Sequence, residues 1–179
     1  MEFKTERLFI RPMQLVDKEA VFGYRSDPET NKNLSFAPVD VDAIASFISN
    51  SAQEINIPGT WFQFVIILKG SQQIIGDIGV HFLDIDPQNK QVEIGYTLNR
   101  FYRGKGYATE ALIEIISYLF NTLDKHRITA SVDPLNIPSI KLIERLGFRK
   151  EAHFRNSLYF KGEWVDDVIY ALLAEEWCK

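Results

Sequence analysis

The chain has 179 residues, with 20 Lys and Arg against 24 Asp and Glu, so its formal net charge is −4 at pH 7. This length favours one domain over residues 1–179, and the acidic balance disfavours broad binding to nucleic acid or to an anionic membrane. The single cysteine, Cys178, cannot form an intrachain disulfide, and no apolar run approaches the roughly 20 residues of a membrane span. We therefore expect a soluble, cytoplasmic protein of one domain.

The amino-terminal part of the chain predicts one strand and two helices. Residues 8–12 alternate apolar with polar side chains, which predicts a short edge strand that Pro12 ends. Asp17 is placed to cap a first helix, which should stop before the Asp27-Pro28 pair because a proline disfavours helical geometry in the preceding residue. Asp40 or Asp42 is placed to cap a second helix, whose apolar residues recur at helical spacing.

The middle of the chain predicts three strands. Residues 61–68, 73–83 and 92–98 are rich in β-branched and aromatic side chains. A Gly70-Ser71 turn separates the first two, and a Pro-Gln-Asn loop at 87–89 separates the second from the third. Two hairpins in succession predict that these strands are antiparallel.

The carboxyl-terminal part predicts two further helices and three strands. Residues 108–123 place their apolar side chains on one helical face. A strand at 127–132 then follows by a right-handed crossover, parallel to 92–98. A helix at 138–146, ended by Gly147, precedes a hairpin of residues 148–160 and 163–173. The resulting order, β-α-α-β-β-β-α-β-α-β-β, predicts an α+β domain with a mixed, mostly antiparallel sheet.

The segment most informative about chemistry is Arg-Gly-Lys-Gly-Tyr-Ala at 103–108, between a predicted strand and a predicted helix. Unpaired amides at a helix start bind phosphate oxygens, and Arg103 and Lys105 add positive charge, so the segment suits a pyrophosphate. A dinucleotide-binding loop would need a small residue at Thr109, and a triphosphate loop would need Ser or Thr where Gly106 stands. A basic turn that merely begins a helix is the remaining alternative.

In this context the sequence resembles the GNAT N-acetyltransferase superfamily. Its acetyl-CoA-binding core is similar to VEIGYTL at 92–98 followed by the Arg-x-x-Gly-x-Ala pattern of 103–108 with Thr-Glu-Ala at 109–111. Asn136-x-x-Ser139 and Leu-Gly-Phe at 146–148 lie where that superfamily has its pantetheine-facing loop and helix. Thr-Glu-Arg-Leu at 5–8 and Trp164-x-Asp166 resemble the Rim-like branch, which acetylates ribosomal-protein N-termini.

The resemblance implies the GNAT fold, in which strands 92–98 and 127–132 are parallel neighbours that splay apart, with helices on both sides. It also implies acetyl-CoA as co-substrate and direct acetyl transfer to a primary amine. No metal is expected, because three scattered histidines and a terminal cysteine do not make a metal site. Backbone groups of 96–98 would bind the pantetheine, amides of 103–108 the pyrophosphate, and Asn136 and Ser139 the pantetheine and sulphur end. The cofactor-binding residues so implied are Tyr96, Thr97, Leu98, Arg103, Gly104, Lys105, Gly106, Tyr107, Ala108, Thr109, Asn136 and Ser139.

Two residues are candidates for catalysis. Glu93 lies on the strand that leads into the gap and is our candidate base, and a solvated or ion-paired carboxylate is the alternative. Many members of the superfamily have a tyrosine four residues after the serine, where it protonates the departing thiolate, but here that position is Ile143. Ser139 is therefore expected to hydrogen-bond the sulphur, with a helix-capping role as the alternative.

The acceptor is less constrained. Phe36, His81, Glu93 and Trp164 are candidates for the acceptor pocket, with core packing as the alternative for the aromatic residues. The resemblance to the Rim-like branch implies a protein N-terminal α-amine as the preferred acceptor. Such an amine ionises near about 7.7–8.0, so an appreciable fraction is neutral at pH 7 and the base needs only modest strength. The alternatives are a small amine (polyamine, amino acid or aminoglycoside), an acyl-CoA-binding module without turnover, and a structural domain. We expect a monomer or homodimer.

Overall fold

The computed structural model describes residues 1–178, so only Lys179 of the predicted domain lies outside the described part. The strands are β1 Phe3–Lys4, β2 Leu8–Pro12, β3 Thr60–Leu68, β4 Gln73–Phe82, β5 Gln91–Leu98, β6 Arg127–Val132, β7 Arg149–Phe160 and β8 Glu163–Leu173. The helices are α1 Lys18–Arg25, α2 Pro28–Asn31, α3 Val41–Ser49, α4 Tyr107–Asn121 and α5 Ile137–Arg145. No helix within 1–178 is long and apolar enough to cross a membrane.

The strands form one sheet in the order β1-β2-β3-β4-β5-β6-β8-β7. Every neighbouring pair is antiparallel except β5 and β6, which are parallel and are joined through α4. The parallel pairing covers only Gln91–Glu93 against Arg127–Thr129, so the two strands separate beyond Glu93. The α+β class, the mixed sheet and the splayed parallel pair are thus confirmed.

Helices cover both faces of the sheet. Alternate β5 residues, such as Val92 and Ile94, join a large core with the apolar stripe of α4. On the other face a smaller core forms between α1, α3 and β3, around Val21, Ile44 and Val65. Glu93 belongs to this second face because side chains alternate along a strand. The sheet therefore separates the face of α4 and α5 from the face that carries Glu93.

Two expectations for the amino-terminal part were wrong, and two short elements, β1 and α2, were not predicted. Strand β2 is not at the edge, because β1 pairs with it outside. Asp17 does not cap α1: its carboxylate accepts two hydrogen bonds of 2.7 Å from Arg11 and one from the Gln14 amide. A short helix, α2, was missed, and Asp27 caps it by accepting the Thr30 amide. The second predicted helix does begin as expected, with Asp40 accepting the Ala43 amide.

A buried charged network joins α1 to the sheet. Asp77, on β4, is 1% exposed and accepts hydrogen bonds from both Arg25 and Tyr24 of α1. The Arg25 Nη2 to Asp77 Oδ1 distance is 2.6 Å, and the Tyr24 Oη to Asp77 Oδ2 distance is 2.5 Å. Asp77 also pairs with Thr97 of β5, so the network lies next to the strand that borders the gap.

Candidate active site

The gap between β5 and β6 exposes the edge of a strand. Beyond Glu93, β5 continues to Leu98 with no pairing to β6, so backbone groups on that side of Tyr96, Thr97 and Leu98 are left to a ligand. The Leu98 carbonyl already accepts one hydrogen bond, at 3.1 Å, from Nε of Arg103. This edge can pair with an extended ligand that carries amides, as the pantetheine arm of acetyl-CoA does.

A glycine loop, defined here as residues 103–106, begins α4 beside that edge. Gly106 is the N-cap residue with φ of 81°, and Gly104 has φ of 75°, both in the left-handed region that favours glycine. None of the amides of 104–109 donates to a backbone carbonyl in the described part of the chain. These donors, at the start of a 15-residue helix, suit the oxygens of a pyrophosphate.

Arg7 holds the glycine loop from a distant part of the chain. Its Nη1 donates to the Lys105 carbonyl at 2.9 Å, its Nε lies 2.6 Å from Glu110 Oε2, and its guanidinium lies 4.5 Å from the centre of the Tyr107 ring. Burial opposes ionisation of Glu110, but hydrogen bonds from Thr5 and Arg7 outweigh it and lower the pKa of Glu110. Sequence reasoning missed this role, although Thr-Glu-Arg-Leu at 5–8 was part of the resemblance.

The two predicted cations of the loop are both tied to backbone carbonyls. Besides the Leu98 carbonyl, Arg103 donates from Nη1 to the Glu29 carbonyl at 3.4 Å. Lys105 Nζ donates to the Phe101 carbonyl at 3.1 Å and lies over the Tyr102 ring. Both side chains thus brace the rim of the loop while adding positive charge to it. Tyr107, Ala108 and Thr109, the remaining predicted residues, form the first turn of α4 and are half-buried.

The start of α5 faces the same gap. Asn136 is its N-cap residue and accepts a hydrogen bond of 3.3 Å from the Ser139 amide. The Ser139 hydroxyl lies 2.6 Å from the Tyr96 hydroxyl, across the gap on β5. Burial raises the pKa of Tyr96 to about 12, although the hydrogen bond with Ser139 opposes this. Ile143 is fully buried in the large core, so it offers no polar group to the gap.

Glu93 lies in a row of side chains on the opposite face of the sheet. It is the cross-strand partner of His81, which in turn is the partner of Trp61. The Trp61 and His81 rings stack at 4.7 Å, and the indole passes close to Gly79, where a Cβ would lie 3.1 Å from it. Burial lowers the pKa of His81, which favours the neutral imidazole at pH 7.

Asp167, which sequence reasoning missed, is a carboxylate neighbour of Glu93. Burial raises the pKa of Glu93, and the negative charge of Asp167 raises it further. Asp167 itself accepts a hydrogen bond of 2.7 Å from the Ser131 hydroxyl. Within 1–178, the Glu93 carboxylate has no hydrogen bond or salt bridge. The carboxylate of Glu93 is thus half-buried, unpaired and a stronger base than an exposed one.

Phe36 and Trp164, by contrast, pack away from this row. Phe36 stacks on Phe47 at 5.1 Å against the smaller core. Trp164 is 61% exposed at the tip of the β7–β8 hairpin, edge-on to Tyr159. Lys161 joins that tip to the segment before Phe36 by donating to the carbonyls of Asn31 and Lys32. The structure thus brings His81 and Glu93 together, whereas Phe36 and Trp164 have no ring contact or hydrogen bond with them in the described part of the chain.

The other polar groups of the hairpin have a local role. Asp166 lies 2.7 Å from His153 and accepts the Asn156 amide at 2.9 Å, which supports the irregular part of β7. No group of His, Cys, Asp and Glu side chains that could hold a metal ion occurs within residues 1–178. The arrangement therefore consists of an unpaired strand edge, a glycine loop with free amides and a carboxylate.

Comparisons with known proteins agree with this arrangement. Residues 7–149 match the acetyltransferase (GNAT) domain family. An uncharacterised N-acetyltransferase of Bacillus licheniformis, p20, is 38% identical over 173 residues, covering 97% of this chain and 96% of that protein. The crystal structure of a GNAT-family acetyltransferase from Bacillus anthracis has a TM-score of 0.86 at 32% identity, over 98% of this chain and 100% of that one.

Two further similarities concern a ribosomal protein and CoA. The [ribosomal protein uS5]-alanine N-acetyltransferase of Escherichia coli (strain K12) is 39% identical over 84 residues, which are 47% of this chain and 43% of that protein. RimJ of Mycobacterium smegmatis, solved in complex with CoA-disulfide, has a TM-score of 0.81 at 26% identity and covers 96% of this chain and 84% of that one.

Proposed function

The chain belongs to the GNAT acetyltransferase family, and we propose that it transfers the acetyl group of acetyl-CoA directly to the α-amine of a protein N-terminus. The observation that carries the proposal is the position of Glu93: it is the last paired residue of β5 before the gap, half-buried and without an ion pair in 1–178. A base at the edge of a thioester-binding gap is what amine acetylation requires.

On the donor side, the proposal assigns acetyl-CoA to the gap and the glycine loop. The amides of 104–108 would hold the pyrophosphate, and the open edge at 96–98 would pair with the pantetheine. Asn136 and Ser139 would border its sulphur end. A backbone amide of that edge would also polarise the acetyl carbonyl, which favours attack on it.

On the acceptor side, the neutral amine attacks the carbonyl carbon. A C–N bond forms, the C–S bond breaks with its electron pair leaving on sulphur, and Glu93 accepts the amine proton directly or through a water molecule. An α-amine that ionises near 7.7–8.0 loses this proton far more easily than a lysine near 10.4. The raised pKa of Glu93 reduces the difference between the pKa of the amine and the pKa of the carboxylate that accepts its proton.

Support for a protein N-terminus comes from the similarity to the uS5-alanine N-acetyltransferase and from the Rim-like motifs at 5–8 and 164–166. A small amine is the second candidate acceptor, because Glu93 and Asp167 would attract any cation to the same place. The third candidate is an acyl-CoA-binding module without turnover, which would have the acetyl-CoA site but would not use the acceptor side. We further propose a cytoplasmic location, a monomer or homodimer, and no nucleic-acid or membrane partner.

Transfer of isotope-labelled acetyl from acetyl-CoA, followed by mass spectrometry, tests the proposal. The acceptors are peptides with varied N-termini, polyamines, amino acids and aminoglycosides. Label on peptide α-amines is the expected result, and label only on a small amine would replace the proposed acceptor. Binding of acetyl-CoA without transfer to any of these amines would favour the binding module.

Glu93→Gln tests the role of Glu93 as a base independently of acetyl-CoA binding. We expect kcat to fall by about 10²- to 10⁴-fold, the usual contribution of a general base, with unchanged affinity for acetyl-CoA. Glu175→Gln, which alters an exposed carboxylate near the carboxyl terminus, is the matched control and should leave both quantities unchanged. Full turnover by Glu93→Gln with its best acceptor would reject the assignment.

A further inference from the structure

A phenol from β5 reaches the serine at the start of α5. The Tyr96 and Ser139 hydroxyl oxygens are 2.6 Å apart, and the Tyr96 hydroxyl also has a longer, 3.4 Å donor contact to the Ser139 carbonyl oxygen, so the hydroxyl oxygen is the closer of its two acceptors. The contact spans the gap in which β5 and β6 have separated, so it joins the two sides of the proposed thioester site. Neither the resemblance nor the family match assigns a role to the Tyr96 side chain.

The hydrogen bond has a preferred direction. A phenol is a stronger acid than an aliphatic alcohol, so Tyr96 is the better donor and Ser139 the better acceptor. Burial holds the pKa of Tyr96 at about 12, so the phenol keeps its hydrogen at every pH near neutrality. With its oxygen accepting from Tyr96, the Ser139 hydroxyl has its own hydrogen left to donate.

We propose that Tyr96 is a positioning residue for the release of CoA: its hydroxyl donates to Ser139 and thereby directs the Ser139 hydrogen toward the departing sulphur. This inference rests on the proposed acetyl transfer. When the C–S bond breaks, its electron pair remains on sulphur as a thiolate, and the Ser139 hydrogen bond stabilises that charge. No proton leaves Tyr96 or Ser139, and the proton lost by the amine goes to Glu93 as described above.

Because Ile143 is buried and apolar, the polar partner of Ser139 is Tyr96 of β5 rather than a residue of α5. Residue 143 lies four positions after Ser139 on α5, and its aliphatic side chain is fully buried in the core. A polar donor to Ser139 must therefore come from another element. Tyr96 lies on the side of β5 that faces α5, three residues beyond the end of the parallel pairing, where its ring can cross the gap.

Binding of CoA itself, without any acceptor, tests the inference. An alkyl thiol such as that of cysteine ionises near about 8.5, and a hydrogen bond to the thiolate lowers the pKa of the bound thiol. The affinity for CoA, relative to desulfo-CoA, which lacks the sulphur atom, should then rise by about tenfold between about pH 7 and 9. Calorimetry measures both ligands with the parent chain, Tyr96→Phe, Ser139→Ala and the double variant.

We expect Ser139→Ala to lose the rise in CoA affinity that depends on sulphur. Tyr96→Phe should lose the rise to the same extent, and the double variant should show no further loss. Desulfo-CoA should bind all four chains alike. Tyr118→Phe, which removes a phenol hydroxyl from α4 outside the gap, should behave as the parent does. A thermal melt of each variant verifies folding, and Tyr96→Leu, which also removes the hydroxyl, replaces Tyr96→Phe with the same expected result if Tyr96→Phe does not fold.

Three results would overturn the inference: no sulphur-dependent rise in the parent chain, a full rise in Tyr96→Phe, or additive losses in the double variant. None of these results would affect the labelling experiment, because that experiment measures transfer of acetyl to an amine. Conversely, failure to label any amine would remove the proposed function while the CoA titration still reported on Tyr96 and Ser139.

Discussion

Two carboxylates determine the charge of the face to which the acceptor is assigned. Glu93 is deprived of water by burial and is opposed by the charge of Asp167, and both effects favour its protonated form. Asp167 is held in place by the Ser131 hydroxyl, so its distance from Glu93 is controlled by the β6–β8 pairing. If Glu93 is the base, as proposed, the pH dependence of catalysis should change when the charge of Asp167 is removed.

Asp167→Asn should shift the low-pH limb of kcat/KM to lower pH. The base must be ionised to act, and removal of the neighbouring negative charge lowers the pKa of Glu93, so activity persists further into acid. A pH–rate profile with the best acceptor measures the shift. Asp166→Asn, whose carboxylate instead contacts His153, should leave the limb in place. A shift to higher pH after Asp167→Asn would contradict the assignment of Glu93.

At the scale of elements, the amino-terminal segment stabilises the start of α4. Arg7 contacts the Lys105 carbonyl, Glu110 and the Tyr107 ring, so one side chain joins the loop to the first turn of the helix. The free amides of the loop keep their direction only while this turn keeps its shape. Residues about a hundred positions apart therefore build the proposed pyrophosphate site together.

Arg7→Met should weaken CoA binding by about tenfold or more, the value of one hydrogen bond to a charged group, while kcat at saturating acetyl-CoA is kept. The reason is that the loop loses its anchor but no catalytic group is removed. Calorimetric titration with CoA measures the affinity. Arg149→Met, which breaks exposed ion pairs with Glu151 and Glu176, is the matched control. Equal affinities in the two variants would argue against the anchor.

Gly106→Ala should lower the free energy of unfolding by about 1–2 kcal/mol, because an L-residue pays this cost in the left-handed conformation. Its new Cβ would also lie 3.3 Å from Arg7 Nη2, so CoA affinity should fall as well. Urea unfolding and CoA titration measure the two effects. At Gly70 a Cβ would meet nothing within 4 Å, so Gly70→Ala should be close to neutral in both. Unchanged stability and unchanged CoA affinity in Gly106→Ala would mean that the N-cap position of α4 does not require glycine.

At the scale of the whole molecule, a buried ion pair connects the layer of α1 and α3 to the sheet. Arg25 and Asp77 are 7% and 1% exposed, so neither charge is compensated by water. The pair lies against Thr97 of β5, and it therefore couples the packing of α1 to the strand that borders the gap.

Asp77→Asn should cost about 3–5 kcal/mol of unfolding free energy, because it leaves the Arg25 charge buried without a partner. Asp124→Asn makes the same change at a carboxylate that is 89% exposed and paired with Lys90, and it should cost at most about 1 kcal/mol. Urea unfolding of both variants provides the comparison. Similar costs in the two would show that the buried pair contributes no more than a surface one.

Local pattern was sufficient to predict most elements and the glycine loop. The hairpin strands, α4 and the glycine loop could be predicted because side-chain period and glycine positions act within a few residues. The same reasoning failed where a tertiary partner competes with a local one. Asp17 has the composition of a helix cap, but Arg11 and the Gln14 amide bind it instead. The β1 strand is two residues long, too short to leave a pattern.

The fold class, the order of all elements except β1 and α2, and the position of the glycine loop thus follow from the sequence alone. Which side chains meet depends on the tertiary structure: Arg7 with Glu110, Tyr96 with Ser139, and Glu93 beside Asp167. These pairs are separated by between about forty and a hundred residues. Their contact depends on strand register and on where β5 and β6 separate, and those are set by packing of the whole sheet rather than by any local period.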